Sequence, residues 1–118
     1  MPEPASHLRV TDYNGVTVVH FADRKILEEL SISEIGEELN RLVDEKPNLR
    51  LLLCFENVEH LSSAALGMLI TLKRRVDEKD GKLRLSDIRP QIYEVFKITR
   101  LSKHFDIHDT VDDAIRAF

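Results

Sequence analysis

Few residues of this chain are of a kind and spacing that could do chemistry. His60, Ser62 and Ser63 stand close together, and a serine activated by a histidine is a nucleophile. No third residue to orient the imidazole and no glycine-rich oxyanion nest accompanies them, so a solvated loop histidine is the simpler reading. His104 and His108 have the i, i+4 spacing that sets two metal ligands on one helical face. Phe105, Asp106 and Ile107 between them read as strand, which presents the two only loosely to one side, and no metal is expected. Cys54 lies in the most apolar stretch of the chain, where burial raises a thiol's pKa and leaves packing as its role. The glycine-rich phosphate loop, the dinucleotide fingerprint, the Gly-x-Ser-x-Gly elbow and the His-Glu-x-x-His pair do not occur, and the 4 glycines are scattered. An enzyme is therefore not expected, nor a cofactor.

The distinctive segment runs from His60 to Leu69. Its serines precede a helical pattern and follow an apolar strand, which puts them at the carboxyl edge of a parallel sheet, where helix amides point outward unpaired. The first turn of that helix holds no Asp or Glu, so the positive end of its dipole is uncompensated and would tolerate a phosphate on serine. The plainer alternative is that Ser62 or Ser63 simply caps the helix. Gly67 inside the helix costs about 1 kcal/mol relative to alanine. It implies close approach by a neighbouring element or a partner, or tight core packing.

The elements that must position these serines can be read along the chain. Leu8–Tyr13, the turn dipeptide Asn14-Gly15 and Val16–Phe21 form a hairpin. The stretch 23–30 lacks periodicity and reads as an irregular connection with room for a helical turn. Ser31 and Glu34 match a capping box, and Ile35, Leu39, Leu42 and Val43 then share a helical face up to Pro47. Leu49–Phe55 is almost continuously apolar, the mark of a strand covered on both faces. In the next helix Leu66, Leu69, Ile70, Lys73 and Val76 share a face flanked by Ala65, Met68 and Leu72. Asp80-Gly81 turns the chain into the strand Lys82–Leu85. Pro90 opens a third helix ending near Ser102, Phe105–Ile107 is a short strand, and Thr110 with Asp113 caps a last helix carrying Val111, Ala114, Ile115 and Phe118. The order ββαβαβαβα predicts a single α/β domain with a mixed, mostly parallel sheet and helices packed on it.

Composition agrees with one such domain. The chain has 118 residues, 42% hydrophobic and 32% charged, enough for a core and a solvated surface. Its formal charge of −4 argues against direct nucleic-acid binding. The absence of a long apolar run or an apolar leader points to a cytoplasmic protein without a membrane span. A single cysteine excludes an internal disulfide. The two prolines among residues 1–6 suggest a flexible N-terminus, set at residues 1–7, before a domain over 8–118.

The element order, together with Phe55-Glu56-Asn57-Val58-Glu59-His60-Leu61-Ser62-Ser63-Ala64-Ala65-Leu66-Gly67, resembles the STAS domain of bacterial anti-sigma factor antagonists over about residues 8 to 118. That family carries the motif Asp-Ser-Ser/Thr-Gly-Leu-Gly. Laying its Leu-Gly on Leu66-Gly67 places the phosphorylatable serine at Ser63, with Ser62 as second choice in the aspartate's position. Ala64 and Ala65 stand where the family has Ser/Thr and glycine, and its Gly-x-Leu-Asp segment has no clear counterpart in residues 23–28. The resemblance implies a bacterial partner switch: the unmodified domain binds an anti-sigma factor with a serine kinase fold, phosphate at Ser63 blocks the binding, and a serine phosphatase restores it. Glu28, Asn57, Ser62, Ser63, Ala64 and Gly67 would form the partner face. A weak homodimer is left open. The alternative is a scaffold subunit of a signalling complex that is never phosphorylated, with Ser63 only a helix cap.

Overall fold

The computed structural model describes residues 7–118; most of the N-terminal segment assigned above as flexible, residues 1–6, lies outside them. Strands β1 (Leu8–Tyr13) and β2 (Val16–Phe21) pair antiparallel through a turn in which Asn14 (φ 53°) and Gly15 (φ 81°) are both left-handed, as a tight hairpin requires. After them come β3 (Lys25–Ile26), α1 (Glu29–Glu45), β4 (Arg50–Cys54), β5 (His60–Leu61) and α2 (Ser63–Glu78). The chain ends with β6 (Lys82–Ser86), α3 (Pro90–Ile98), a 3-10 turn (Leu101–Lys103), β7 (Asp106–His108) and α4 (Val111–Ala117). The main sheet has the order β1-β2-β4-β6-β7, parallel at every pairing except the hairpin. Its strands and the four helices follow one another as ββαβαβαβα, the order read from the sequence. β3 and β5 form a separate two-stranded parallel ribbon.

Strand alternation divides the core in two. Val19, Phe21, Leu51, Leu53, Leu83 and Leu85 face α1, α2 and α3. Val16, Val18 and Leu52 point the other way, onto Ala114 and the flanks of Val111, Ile115 and Phe118 in α4. β4 is thus buried on both sides, which explains its continuous apolar run. The short α4 is held by this stripe, by the Thr110 hydroxyl accepting from the Asp113 amide at 3.1 Å, and by Arg84 stacked 4.3 Å over the Phe118 ring.

Four expectations are corrected. The connection 23–30 contains β3, whose two residues are too few to show a strand period. The capping box at Ser31 and Glu34 does not form: α1 starts at Glu29 with Glu28 as its cap residue, without a side-chain bond, and the Ile32 amide already bonds to the Glu28 carbonyl at 3.0 Å. The ribbon delivers the chain at Ile26, so the helix begins as soon as pairing ends. In α2 the buried stripe is Ala65, Leu66, Leu69, Leu72 and Val76, while Ile70 is 39% exposed, because the stripe follows contact with α1 and β6 rather than apolar content. α3 stops at Ile98 rather than near Ser102, since Arg100 turns left-handed (φ 64°) and the 3-10 turn intervenes.

Two glycines are set by close approach. At Gly81 a Cβ would lie 2.6 Å from the Leu49 carbonyl oxygen, so the turn after α2 needs a bare backbone there, while its left-handed residue is Asp80 (φ 60°). At Gly36 a Cβ would meet Met68 Cγ at 3.3 Å, which lets α1 and α2 pack side by side.

His7 ties the start of the domain to the connection after β2 and to α1. Its Nδ1 is 2.8 Å from Asp23 and its Nε2 3.4 Å from Glu34 of α1. Partial burial alone would lower the imidazole pKa, but the hydrogen bond and charge of Asp23, then Glu34, outweigh it and raise the pKa above 6.5. A folded pKa above the unfolded one gives stability that is complete below 6.5 and lost as pH rises through the raised value. We therefore expect His7→Gln to lower the urea midpoint more at about pH 5.5 than at about pH 8.5. Equal losses at both pH values would show that His7 acts only by packing.

Candidate functional site

The serine segment is positioned by the ribbon. Lys25 pairs with His60 and Ile26 with Leu61, and the ladder continues as the Ser62 amide donates to the Ile26 carbonyl at 3.1 Å. The Glu59 and His60 amides both donate to the Arg24 carbonyl, at 2.7 and 3.2 Å. The Arg24 guanidinium closes the ribbon from outside with a 2.8 Å bond to Glu59, whose carboxyl it holds below the usual range by hydrogen bond and charge. Two residues of pairing are too little to stand alone, but this frame draws the end of β3 against the start of α2.

Ser62 is the helix cap. Its backbone is extended (φ −84°, ψ 167°) and its hydroxyl accepts from the Ala65 amide at 3.1 Å, while its carbonyl takes the first helical bond from Leu66. Ser63 is the first helical residue. It is exposed, and its hydroxyl has no hydrogen-bond partner among the described residues. The capping role that the sequence left open between the two serines thus belongs to Ser62, and Ser63 is available to chemistry from outside. The first turn of α2 has no acidic side chain, so the amide ends there carry their positive partial charge uncompensated.

The exposed residues that follow Ser63 in the first turns of α2 are small. Ala64 and Gly67 face solvent, and a Cβ on Gly67 would meet nothing within 4 Å. Core packing therefore does not explain this glycine, nor does a neighbouring element. Glu28 is exposed at the end of the ribbon, adjacent to the Ile26 to Ser62 ladder bond. Asn57 is also exposed, but its amide reaches the Phe21 carbonyl at 3.5 Å on the β2 side of its loop, and no bond carries it to the serines. Sequence reasoning missed Leu27 and Leu30, which are 48% and 71% exposed beside Glu28. Two leucines three apart around two glutamates, ahead of the buried helical stripe, were the available signal.

Of the remaining candidates only His60 belongs to the ribbon beside the serines. His60 is exposed on β5. His104 is exposed after the 3-10 turn, and His108 ends β7 with its Nε2 3.0 Å from Asp106. Among the described residues no group of three or more His, Cys, Asp or Glu could hold a metal ion. No helix among them is long and apolar enough to cross a membrane. Cys54 is buried, and desolvation first, with the nearby Asp87 carboxylate, pushes its thiol up to about 11; its Sγ donates to Asp87 at 3.6 Å. At neutral pH it is a packed thiol.

The two serines make opposite predictions for stability. Ser62→Ala should cost about 1 kcal/mol in urea denaturation, the usual value of a lost cap. Ser63→Ala should change stability by less than about 0.5 kcal/mol, as expected for an exposed residue without partners. Gly67→Ala should stabilise the fold by about 0.5 to 1 kcal/mol, since nothing crowds the added methyl. Loss of stability in Gly67→Ala would mean that the open space beside it is filled in solution.

The STAS domain family model matches residues 7–114. BtrV of Bordetella bronchiseptica, a protein named for anti-sigma factor antagonism, is 25% identical over 93 residues, 79% of each chain. An anti-sigma-factor antagonist (STAS) domain protein from Planctomyces limnophilus superposes with a TM-score of 0.85 at 23% identity, covering 97% of this chain and 98% of that one. The Bacillus cell fate determinant SpoIIAA in its phosphorylated form has a TM-score of 0.69 at 14% identity, covering 93% and 97%. Structural likeness at these identities establishes the fold, and the family match carries the rest. The chain belongs to the STAS domain family and is an anti-sigma factor antagonist-like regulatory module rather than an enzyme.

Proposed function

We propose that this domain is a partner switch that binds an anti-sigma factor with a serine kinase fold, and that phosphorylation of Ser63 by that partner releases it. A serine phosphatase would reset the domain. The observation that carries the reading is the division of labour between the serines: Ser62 holds the helix, so Ser63 can be modified without dismantling it. A phosphate there would meet the uncompensated amide end of α2, which tolerates negative charge while the domain is free.

In a complex the same phosphate is costly. Phosphoserine carries about −1.5 to −2 charges, and burying it against a surface without matching arginines is strongly unfavourable. A penalty of roughly 3 kcal/mol weakens binding more than a hundredfold, since each 1.4 kcal/mol is a factor of ten. The absence of side chain at Gly67 and the small Ala64 suit close contact with a partner's backbone, while Glu28, Leu27 and Leu30 extend the face beyond the ribbon. Asn57 belongs to the face only if the partner also covers the loop between β4 and β5.

The test is affinity capture of the partner with and without ATP, followed by calorimetric titration. Ser63→Ala should bind within about threefold of the parent domain, and Ser63→Asp or the phosphorylated domain at least about a hundredfold more weakly. Gly67→Ala should bind more weakly despite its higher stability. Equal affinity of Ser63→Ala and Ser63→Asp, or a Ser63 that stays unmodified in mass spectra under every growth condition, would favour a scaffold subunit instead.

A further inference from the structure

A cleft lies along the carboxyl-terminal half of α2, beginning at Ile70, about 10 Å along the helix from Ser63. Ile70, Arg74 and Glu78 form one wall and Leu101, His104 and Phe105 the other, around a volume of about 540 Å³. A more polar compartment of about 350 Å³ shares Lys73, Asp77, His104 and Phe105 with it and extends to Lys82, Lys103 and Asp106. The two adjoin across these shared residues and are treated as one groove with an apolar half and a charged half. Its size is that of a small-molecule site.

The charges along it are unbalanced. Lys73 is neutralised by Asp77 at 2.8 Å and Arg84 by Asp106 at 2.7 Å. Arg74, Lys82 and Lys103 line the groove with no ion pair among the described residues, and His104 stands exposed beside them. Glu78 is the one lining carboxylate without such a pair. On a chain of formal charge −4 this is a local positive excess. The apolar half offers Ile70, left open by the rotation of the α2 stripe, above the nearly buried Leu101 and Phe105.

We propose that this groove binds a soluble single-chain amphipathic anion, with an acyl or aryl body on Ile70, Leu101 and Phe105 and a phosphate or carboxylate head facing Lys82, Lys103 and His104. The inference rests on the groove alone and is independent of the switch at Ser63. A cationic head would meet the unpaired lysines, and an alcohol would leave them unused. A lipid bilayer is disfavoured because the apolar floor is concave and bordered by Asp77 and Glu78.

Calorimetric titration of the full chain at low salt, with amphiphiles below their micelle concentration, tests this. Octyl phosphate and octanoate should bind saturably and at least about tenfold more tightly than octanol, with affinity falling as salt is raised. Octyltrimethylammonium should not bind. Amide shifts in the nuclear magnetic resonance spectrum should fall in the second half of α2 and in residues 101–106. Ile70→Ser and Lys103→Glu, both at exposed positions, should each weaken octyl phosphate at least about tenfold while Ser63→Ala leaves it unchanged. Equal affinity for octanol and octyl phosphate, shifts confined elsewhere, or sedimentation with phosphatidylglycerol vesicles without binding of the soluble anions would each overturn the proposal.

Discussion

Ser62 holds the site together by being fully engaged. Its amide extends the β3–β5 ladder to Ile26, its carbonyl receives the first bond of α2, and its hydroxyl satisfies the Ala65 amide. A residue committed on three sides fixes the entry of α2 and leaves the next residue, Ser63, on the outside of the first turn. The two bonds of 2.7 and 3.2 Å that tie the loop to the Arg24 carbonyl would have little value without it, because a two-residue ribbon is not stable by itself.

What gives this small frame its rigidity is the body beneath it. β4 is buried on both faces, so the loop that leaves it starts from the core of the sheet, and Phe55 packs at a tilt against Phe21 with ring centroids 4.9 Å apart. α1 and α2 are packed side by side at Gly36 and Met68. The result is an exposed run of Leu27, Glu28, Glu29 and Leu30 after the ribbon and of Ser63, Ala64 and Gly67 along the start of α2. The groove further along α2 shares that body but none of the same side chains.

Much of the fold was legible because long-period patterns survive any context. The hairpin came from Asn14-Gly15, β4 from its unbroken apolar run, and the last helix from Thr110 and Asp113 with the stripe behind them. The errors fell where a short element depended on a distant one. β3 has two residues and exists only because β5 lies beside it, and the start of α1 moved from the capping box at Ser31 to Glu29 because that pairing ends at Ile26. Helical spacing puts Ile70 on one face with Leu66, Leu69, Lys73 and Val76, but which flank of α2 is covered depends on where α1 and β6 lie.

The same division runs through the site. The amino-acid sequence by itself determined that an alternating α/β domain would form, that serines would open a helix at the carboxyl end of a central strand, and that Cys54 would be inert. These follow from hydrophobic period, turn chemistry and capping, all of which act between residues near in the chain. Only the tertiary structure decided which serine caps and which is exposed, that Gly67 borders open space, and that Leu27 and Leu30 lie beside Glu28 on the surface. The first rests on the Ser62 amide's bond to the Ile26 carbonyl, between segments more than 30 residues apart, and exposure likewise depends on which distant segments cover a surface and which do not; local pattern holds no information about either until the chain has closed on itself.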